Sequence, residues 1–359
     1  MLKGGRPVIG LGEQAQAALL SLLDRVPRLN IHSHTLEMHV DRDHRLDLVV
    51  DITAGGQDWT LVCEITSNGQ PRHVRAALHE MDEYRQHNNS QWVSVLIAPY
   101  LSPQARKLCV DDDVSYVDLH GNARLIFGNT FIEREAAGSP AAEAREMKSL
   151  FKPKASQVLR VMLQDPARPW RVTDISEAAG VSIGHVSNVR NALLAREWAS
   201  VVDGGLAISE PDQLLDAWAE DYEPPMGKRL RFYTPLHGSA LQQAIGKVVG
   251  ARAKGGTVVL ASFSAAQWIA PFGRHSTQFF YCDNDGLERL VAELGLERTA
   301  KGENVAITVL KDDGLFRDTI MPAEGIRCTG AVQTYLDLSA SGERGKEAAE
   351  HLRQEKLSW

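Results

Sequence analysis

Apolar positions recur along this chain with two different periods, and each change of period marks an element. Over residues 14–26 they fall at Ala18, Leu19, Leu22, Leu23 and Val26, one stripe of a helix. Two β-rich runs follow at 46–53 and 59–66, and Ala54-Gly55-Gly56-Gln57-Asp58 between them predicts a hairpin turn. A helix is expected over 72–87, a strand over 92–98, a helix after Ser102-Pro103, and strands at 115–119 and 123–127. This alternation predicts a mixed sheet covered by helices in residues 1–134. The pattern lapses in a polar, Ala- and Pro-containing stretch at 135–150, which predicts a linker.

It resumes in residues 151–210 with shorter helices. In 154–164, Val158, Val161 and Met162 share a face. Then comes Thr173-Asp-Ile-Ser-Glu-Ala-Ala-Gly-Val-Ser-Ile-Gly-His-Val-Ser-Asn-Val-Arg. Thr173 is the expected N-cap of a helix that ends at Gly180, where a glycine can take the left-handed conformation of a sharp turn. Ser182 is expected to cap a second helix. Ile175, Ala179, Val181, Val186 and Val189 sit where two crossed helices bury apolar side chains, with Ser176 small at the crossing. Residues 199–209 predict strand, turn, strand around Asp203-Gly204-Gly205, so the segment as a whole predicts a winged helix-turn-helix. His185, Ser187, Asn188 and Asn191 fall on the outward face of the second helix. Asn can pair with adenine in the major groove, Ser and His can reach base edges or phosphate, and Arg190 and Arg196 can meet phosphate.

A second polar stretch, 210–226, holds one short helix around Leu214, Leu215 and Trp218 and ends in Pro224-Pro225. Residues 227–359 are again α/β, with helices expected at 240–252, 265–270 and 286–294, strands at 257–261, 278–282 and 305–310, and a helical stretch over 331–357.

Composition narrows the function. Of 359 residues, 43% are hydrophobic and 24% charged, and the net charge is −7, so any DNA contact must be local rather than spread over a basic surface. Residues 151–210 carry seven Lys/Arg against six Asp/Glu, the least acidic part of the chain but no basic patch. A helical module for protein contacts is the alternative for that segment. The four cysteines, Cys63, Cys109, Cys282 and Cys328, form no CxxC pair; we expect buried thiols in a reducing cytoplasm and no zinc site. Neither a signal peptide nor a membrane span is expected. His32, His34, His39 and His44 with Glu37 and Asp41 match no metal-ligand spacing and are expected on a polar surface. Asp118-Leu-His-Gly-Asn122 is expected to form a turn. Cys282-Asp-Asn-Asp285 lacks the accompanying pattern of a nucleotidyltransferase site.

Two resemblances add to this. Asp47, the Gly-Gly turn and Leu61-Val-Cys-Glu64-Ile-Thr66 resemble the restriction-endonuclease-like (PD-(D/E)xK) fold. In that core an acid on one strand and an acid two residues before a lysine on the next hold Mg²⁺ and activate water. Thr66 occupies the lysine position, so Asp47, Glu64 and Thr66 are expected to be vestigial, with no metal and no cofactor. Asp51 is an alternative ligand, and Arg72 and Arg75 could approach phosphate. Residues from about 150 onward resemble the AbiEi-like antitoxin and transcriptional-regulator family of type IV toxin–antitoxin systems. The likeness rests on Pro169-Trp-Arg-Val-Thr-Asp-Ile-Ser-Glu-Ala-Ala-Gly-Val-Ser, on Val258-Val-Leu-Ala-Ser-Phe-Ser-Ala-Ala-Gln, and most of all on Val332-Gln-Thr-Tyr-Leu-Asp-Leu with Arg344-Gly-Lys-Glu-Ala-Ala. It implies promoter binding with autorepression, an antitoxin role for the C-terminal domain, and a nucleotidyltransferase toxin antagonised without a stable complex. The chain departs from short members of that family by about 150 residues ahead of the helix-turn-helix. The expectation is a cytoplasmic, homodimeric, duplex-DNA-binding regulator. A metal-dependent nuclease using Asp47 and Glu64 and a protein-interaction module in phage defence stand as alternatives.

Overall fold

The protein was analysed as a computed structural model that describes residues 10–39, 45–85, 91–250, 256–273 and 275–359. Contacts divide the chain into two compact units, Met1–Arg145 with Leu194–Glu197, and Glu146–Leu193 with Trp198–Trp359.

The first unit opens with helix α1 (Leu11–Leu23) and a meander of three antiparallel strands, β1 (Leu29–His39), β2 (Arg45–Ala54) and β3 (Gln57–Ile65). Gly55 and Gly56, at φ 62° and 81°, make the two-residue turn between β2 and β3. Helix α2 (Pro71–Arg85) then returns the chain to β4 (Trp92–Ala98), parallel to β3. Helix α3 (Pro103–Asp111) leads to β5 (Ser115–Asp118), parallel to β4, and the sheet ends with β6 (Ala123–Phe127) and β7 (Thr130–Arg134). The seven strands lie in sequence order. Leu19 and Leu23 of α1 pack on Leu48, Val50, Leu61 and Val95 of one face, while Val74, Leu78 and Cys109 of α2 and α3 pack on Leu96 and Tyr116 of the other. Strand β1 was not expected. Its polar residues His32 to Thr35 are all exposed, so no alternation betrayed it.

Helix α4 (Ala141–Leu150) stands in the stretch expected to be a linker. Helices α5 (Pro153–Leu163), α6 (Val172–Ala179) and α7 (Ile183–Ala195) follow, then the hairpin β8 (Ala199–Val202) and β9 (Gly205–Ile208). Helix α8 (Pro211–Glu220) is the short apolar helix anticipated around Trp218.

The rest of the second unit is a seven-stranded mixed sheet in the order β13-β10-β14-β12-β11-β16-β15. In chain order its elements are β10 (Gly227–Tyr233), α9 (Gly238–Val249), β11 (Val258–Leu260), α10 (Ser262–Ile269), β12 (Gln278–Cys282), α11 (Asn284–Leu294), β13 (Glu297–Arg298) and β14 (Val305–Leu310). A short 3-10 turn (Asp313–Arg317), β15 (Thr319–Ala323), β16 (Ile326–Thr329), α12 (Ala331–Ser339) and α13 (Gly342–Lys356) complete it. The expected C-terminal helical stretch is therefore two helices, broken at Gly342, whose φ is 74°. Strands β10, β13, β15 and β16 escaped the sequence pattern; β10, Gly-Lys-Arg-Leu-Arg-Phe-Tyr, exposes most of its side chains.

Among the described residues no helix is long and apolar enough to cross a membrane. All four cysteines are free and buried, and burial pushes Cys109, Cys282 and Cys328 up to about 12.

Candidate nucleic-acid interface

The three helices α5 to α7 fold as a unit because each turns a narrow apolar stripe inward. Val158, Met162, Ile175, Ala179, Val186, Val189 and Leu193 are buried together with Trp198 and Leu206. Val181, expected in this core, is half-buried. Gly180 ends α6 at φ 64°, ψ 39°, the left-handed conformation its position predicted. Across the turn the Ser176 hydroxyl donates to the Val181 carbonyl at 2.6 Å, a bond beyond the smallness expected of Ser176. A Cβ on Gly180 would also stand 2.7 Å from the Arg317 guanidinium carbon. Arg317 can swing away, so the backbone conformation sets the cost. Gly180→Ala is expected to destabilise the protein by about 1–2 kcal/mol, read as a lower urea midpoint with unchanged slope.

Ser182 caps α7 as expected, accepting from the His185 amide at 3.3 Å. Thr173 does not cap α6. The helix begins one residue earlier, at Val172, and the exposed Thr173 hydroxyl donates to Asp174 at 3.1 Å. The outward face of α7 carries Ser182, Asn188 and Asn191, all exposed, with Ser187 and Arg190 half-buried beside them. His185 belongs less well to this face, because its Nε2 is buried without a hydrogen-bond partner. Two neighbours went unremarked in the sequence: Gly184 is exposed, and Ile183 is 54% exposed at the start of the helix. An exposed Ile next to polar side chains suits contact with a thymine methyl.

The hairpin gains a third, one-residue strand. Trp170 accepts from Leu206 N at 2.8 Å and donates to its carbonyl at 2.9 Å, and Gly205 lies so close to Trp170 that a Cβ would meet its carbonyl oxygen at 2.2 Å. Asp203-Gly204 forms the tip, with Gly204 at φ 97° and Val201 and Val202 exposed. Arg168 lies over the Trp170 ring at 3.9 Å.

Two arginines expected near phosphate are occupied elsewhere. Arg196 is 3% exposed and paired with Glu143 at 2.8 Å. Arg75 grips both carboxylate oxygens of Glu197, each at 3.0 Å.

In the first unit Asp47 and Glu64 lie at neighbouring positions of β2 and β3, and the Ile65 amide donates to Asp47 Oδ2 at 2.8 Å. Burial, then Asp47, then Glu80 raise the Glu64 carboxyl to about 7, partly offset by Arg45. The Thr66 hydroxyl is spent locally, donating to the Asn68 carbonyl at 3.2 Å and accepting from its amide at 3.4 Å. Asp51 accepts from Ser33 at 2.6 Å and Thr60 at 2.9 Å, so both its oxygens are engaged. No group of three or more His, Cys, Asp and Glu able to hold a metal occurs among the described residues. His32 and His34 lie exposed on β1, bonded to Thr53 and Gln16; Asp41 and His44 lie outside the described residues.

Because Glu64 is raised, its charge costs stability at pH values above the folded value and costs none below the unfolded one. Glu64→Gln is thus expected to stabilise the protein by about 1–2 kcal/mol at pH 8, after allowance for solvent screening, and by almost nothing at pH 4. Urea unfolding at the two values measures the difference.

Other acidic motifs hold the fold. Asp118 accepts from the amides of Gly121 and Asn122, each at 2.8 Å, and from Leu101 at 3.0 Å, which makes the expected turn a buried one. Asp283 caps α11 through Gly286 N and accepts from Thr257 N, both at 2.7 Å.

Residues 207–358 match a family model described as transcriptional regulator, AbiEi antitoxin, type IV toxin–antitoxin system. The match begins within β9 and ends in the last residues of the chain, so it takes in none of α5 to α7. No curated protein matches the sequence. Among solved structures, a repair endonuclease from Pyrococcus abyssi is 17% identical at a TM-score of 0.22, over 29% of this chain and 46% of that one. The EndoMS–dsDNA2 complex is 15% identical at a TM-score of 0.22, over 33% and 49%. The chain thus spans just under half the length of the endonucleases it matches.

Proposed function

We propose that the chain is a duplex-DNA-binding transcriptional regulator of the toxin–antitoxin type and that α5 to α9 begin with a winged helix-turn-helix spanning α5 to β9. The observation that carries this is the exposed polar face of α7, Ser182, Asn188 and Asn191, standing directly after the left-handed turn at Gly180. Such a helix, set on a buried tri-helical core and followed by a hairpin, has the geometry to enter a major groove. The family match over residues 207–358 supports the regulatory role. One recognition helix reads only a short half-site, so the active form is a homodimer on a two-fold operator. Autorepression and antagonism of a nucleotidyltransferase toxin without a stable complex follow as the family's logic.

The N-terminal unit serves as a scaffold rather than a nuclease. Its α-β-β-β-α-β order is that of a restriction-endonuclease-like core, and Asp47 and Glu64 are adjacent in it. Yet a carboxyl raised to about 7 is a weak Mg²⁺ ligand near neutrality, and Thr66 offers no cation. Plasmid incubated with the protein and Mg²⁺ or Mn²⁺ should remain intact; cleavage abolished by Glu64→Ala would revive the enzymatic reading.

The test of DNA binding is a gel shift of the full chain on the region upstream of its own gene, with excess non-specific competitor. A complex that resists competitor is expected. Retardation no stronger than on unrelated DNA would sink the proposal.

A further inference from the structure

In the C-terminal sheet, three adjacent strands present two rows of side chains on the face that α12 partly covers. Arg229, Thr308 and Tyr281 form one row, and Arg231, Ala306 and Phe279 the next, because paired residues share a face. Tyr281 reaches Asp337 of α12 at 2.8 Å. Toward β10 the face is open, and Arg229 and Arg231 are exposed there. The result is a cavity of about 490 Å³ with Phe279 and Tyr281 on its floor, Asp337 and Ser341 on one wall and the two arginines opposite.

Asp337 is the unusual group in that wall. It is 6% exposed. Its Oδ1 accepts from Tyr222, from Tyr281 at 2.8 Å and from Gln333 at 3.0 Å, whereas its Oδ2 has no partner. A buried carboxylate oxygen without a donor costs on the order of 1–3 kcal/mol or more, which a ligand N–H would recover. Ser262, another lining residue, holds a left-handed φ of 48° at the β11–α10 junction, a strained conformation of the kind that collects at ligand sites.

Any occupant must therefore offer one N–H donor to Asp337 and an anionic group to the arginines. Two strand spacings, about 10 Å, separate the Tyr281 and Arg229 positions. Free amino acids are too short to bridge that gap. A nucleoside monophosphate bridges it, with a flat base that suits the aromatic floor. We propose that this cavity binds a nucleoside monophosphate, its exocyclic amino group on Asp337 Oδ2 and its phosphate on Arg229 and Arg231. Arg231 is shared with Glu303 at 3.4 Å, so Arg229 makes the main phosphate contact.

The geometry makes a prediction about bases. Cytosine and adenine present an amino group where uracil presents a carbonyl oxygen, which a carboxylate repels. Titration calorimetry of the full chain with CMP, AMP, UMP and inorganic phosphate tests this. CMP or AMP should bind at least tenfold more tightly than UMP, and inorganic phosphate more weakly still. Arg229→Ala, a surface change, should weaken that binding at least tenfold with an unchanged melting temperature, and Asp337→Asn should narrow the preference over UMP. Absence of binding by both CMP and AMP, equal binding of CMP and UMP, or indifference to Arg229→Ala would each overturn the site. None of these outcomes bears on operator binding by α7, whose own gel shift is independent.

Discussion

Replacing Asn188 and Asn191 together with alanine is expected to lower operator affinity by about 2–4 kcal/mol, on the order of 10²-fold, while leaving the fold intact. Both side chains are exposed on α7 and neither belongs to the buried core, so their removal opens no cavity. An Asn placed against adenine makes two hydrogen bonds at once, and each such pair is worth about 1–3 kcal/mol of discrimination. The loss should fall on specific binding alone, since neither residue carries charge; affinity for unrelated DNA and its salt dependence should stay as they were. A gel-shift series across salt concentrations separates the two. Arg190→Ala should behave in the opposite way, weakening all sequences and reducing the salt slope by about one. If the double variant binds operator like the parent, α7 is not the recognition helix.

The second large effect is on stability. Arg160 of α5 is 5% exposed, 3.7 Å from Asp318 and hydrogen-bonded through NH1 to Gln333 at 3.1 Å. Burial pulls the guanidinium below its usual value, although the charge of Asp318 works to hold it up. Arg160→Met keeps the volume but strands Asp318 and Gln333 in a dry seam, where losing one partner of a buried pair costs about 3–5 kcal/mol. Urea denaturation should record that loss at neutral pH. Removing the acid as well, in Arg160→Met with Asp318→Leu, should recover most of it. A loss under 1 kcal/mol in the single variant would mean that the seam is wetter than its burial implies.

Much of the architecture could be read from residue pattern, and the gaps have physical causes. The hairpin at Gly55-Gly56, the turn at Gly180 and the cap at Ser182 were legible because local backbone geometry demands those residue types. Strand β1 was not, since an edge strand with both faces wet has no reason to alternate. Strand β10 hid behind Lys228, Arg229 and Arg231 for the same reason. At the interface, Asn188 and Asn191 could be placed outward from helical periodicity alone. Periodicity could not show that Arg196 would be buried against Glu143, because long-range ion pairs leave no mark on local sequence. Asp337 reads as an ordinary polar position within Gln-Thr-Tyr-Leu-Asp-Leu; only the tertiary structure gathers two tyrosines and a glutamine on one of its oxygens.

Helix α5 is buried on every side from Ala155 to Leu163, with Gln157 bonded to Asp312 and Gln164, just beyond it, to Asp318. The polar punctuation near residue 210 is thus a crease within one folded body, not a hinge between two. Anyone trimming the gene should cut near residue 146 and keep everything after it; a fragment ending at 210 would tear α5 from its bed and aggregate.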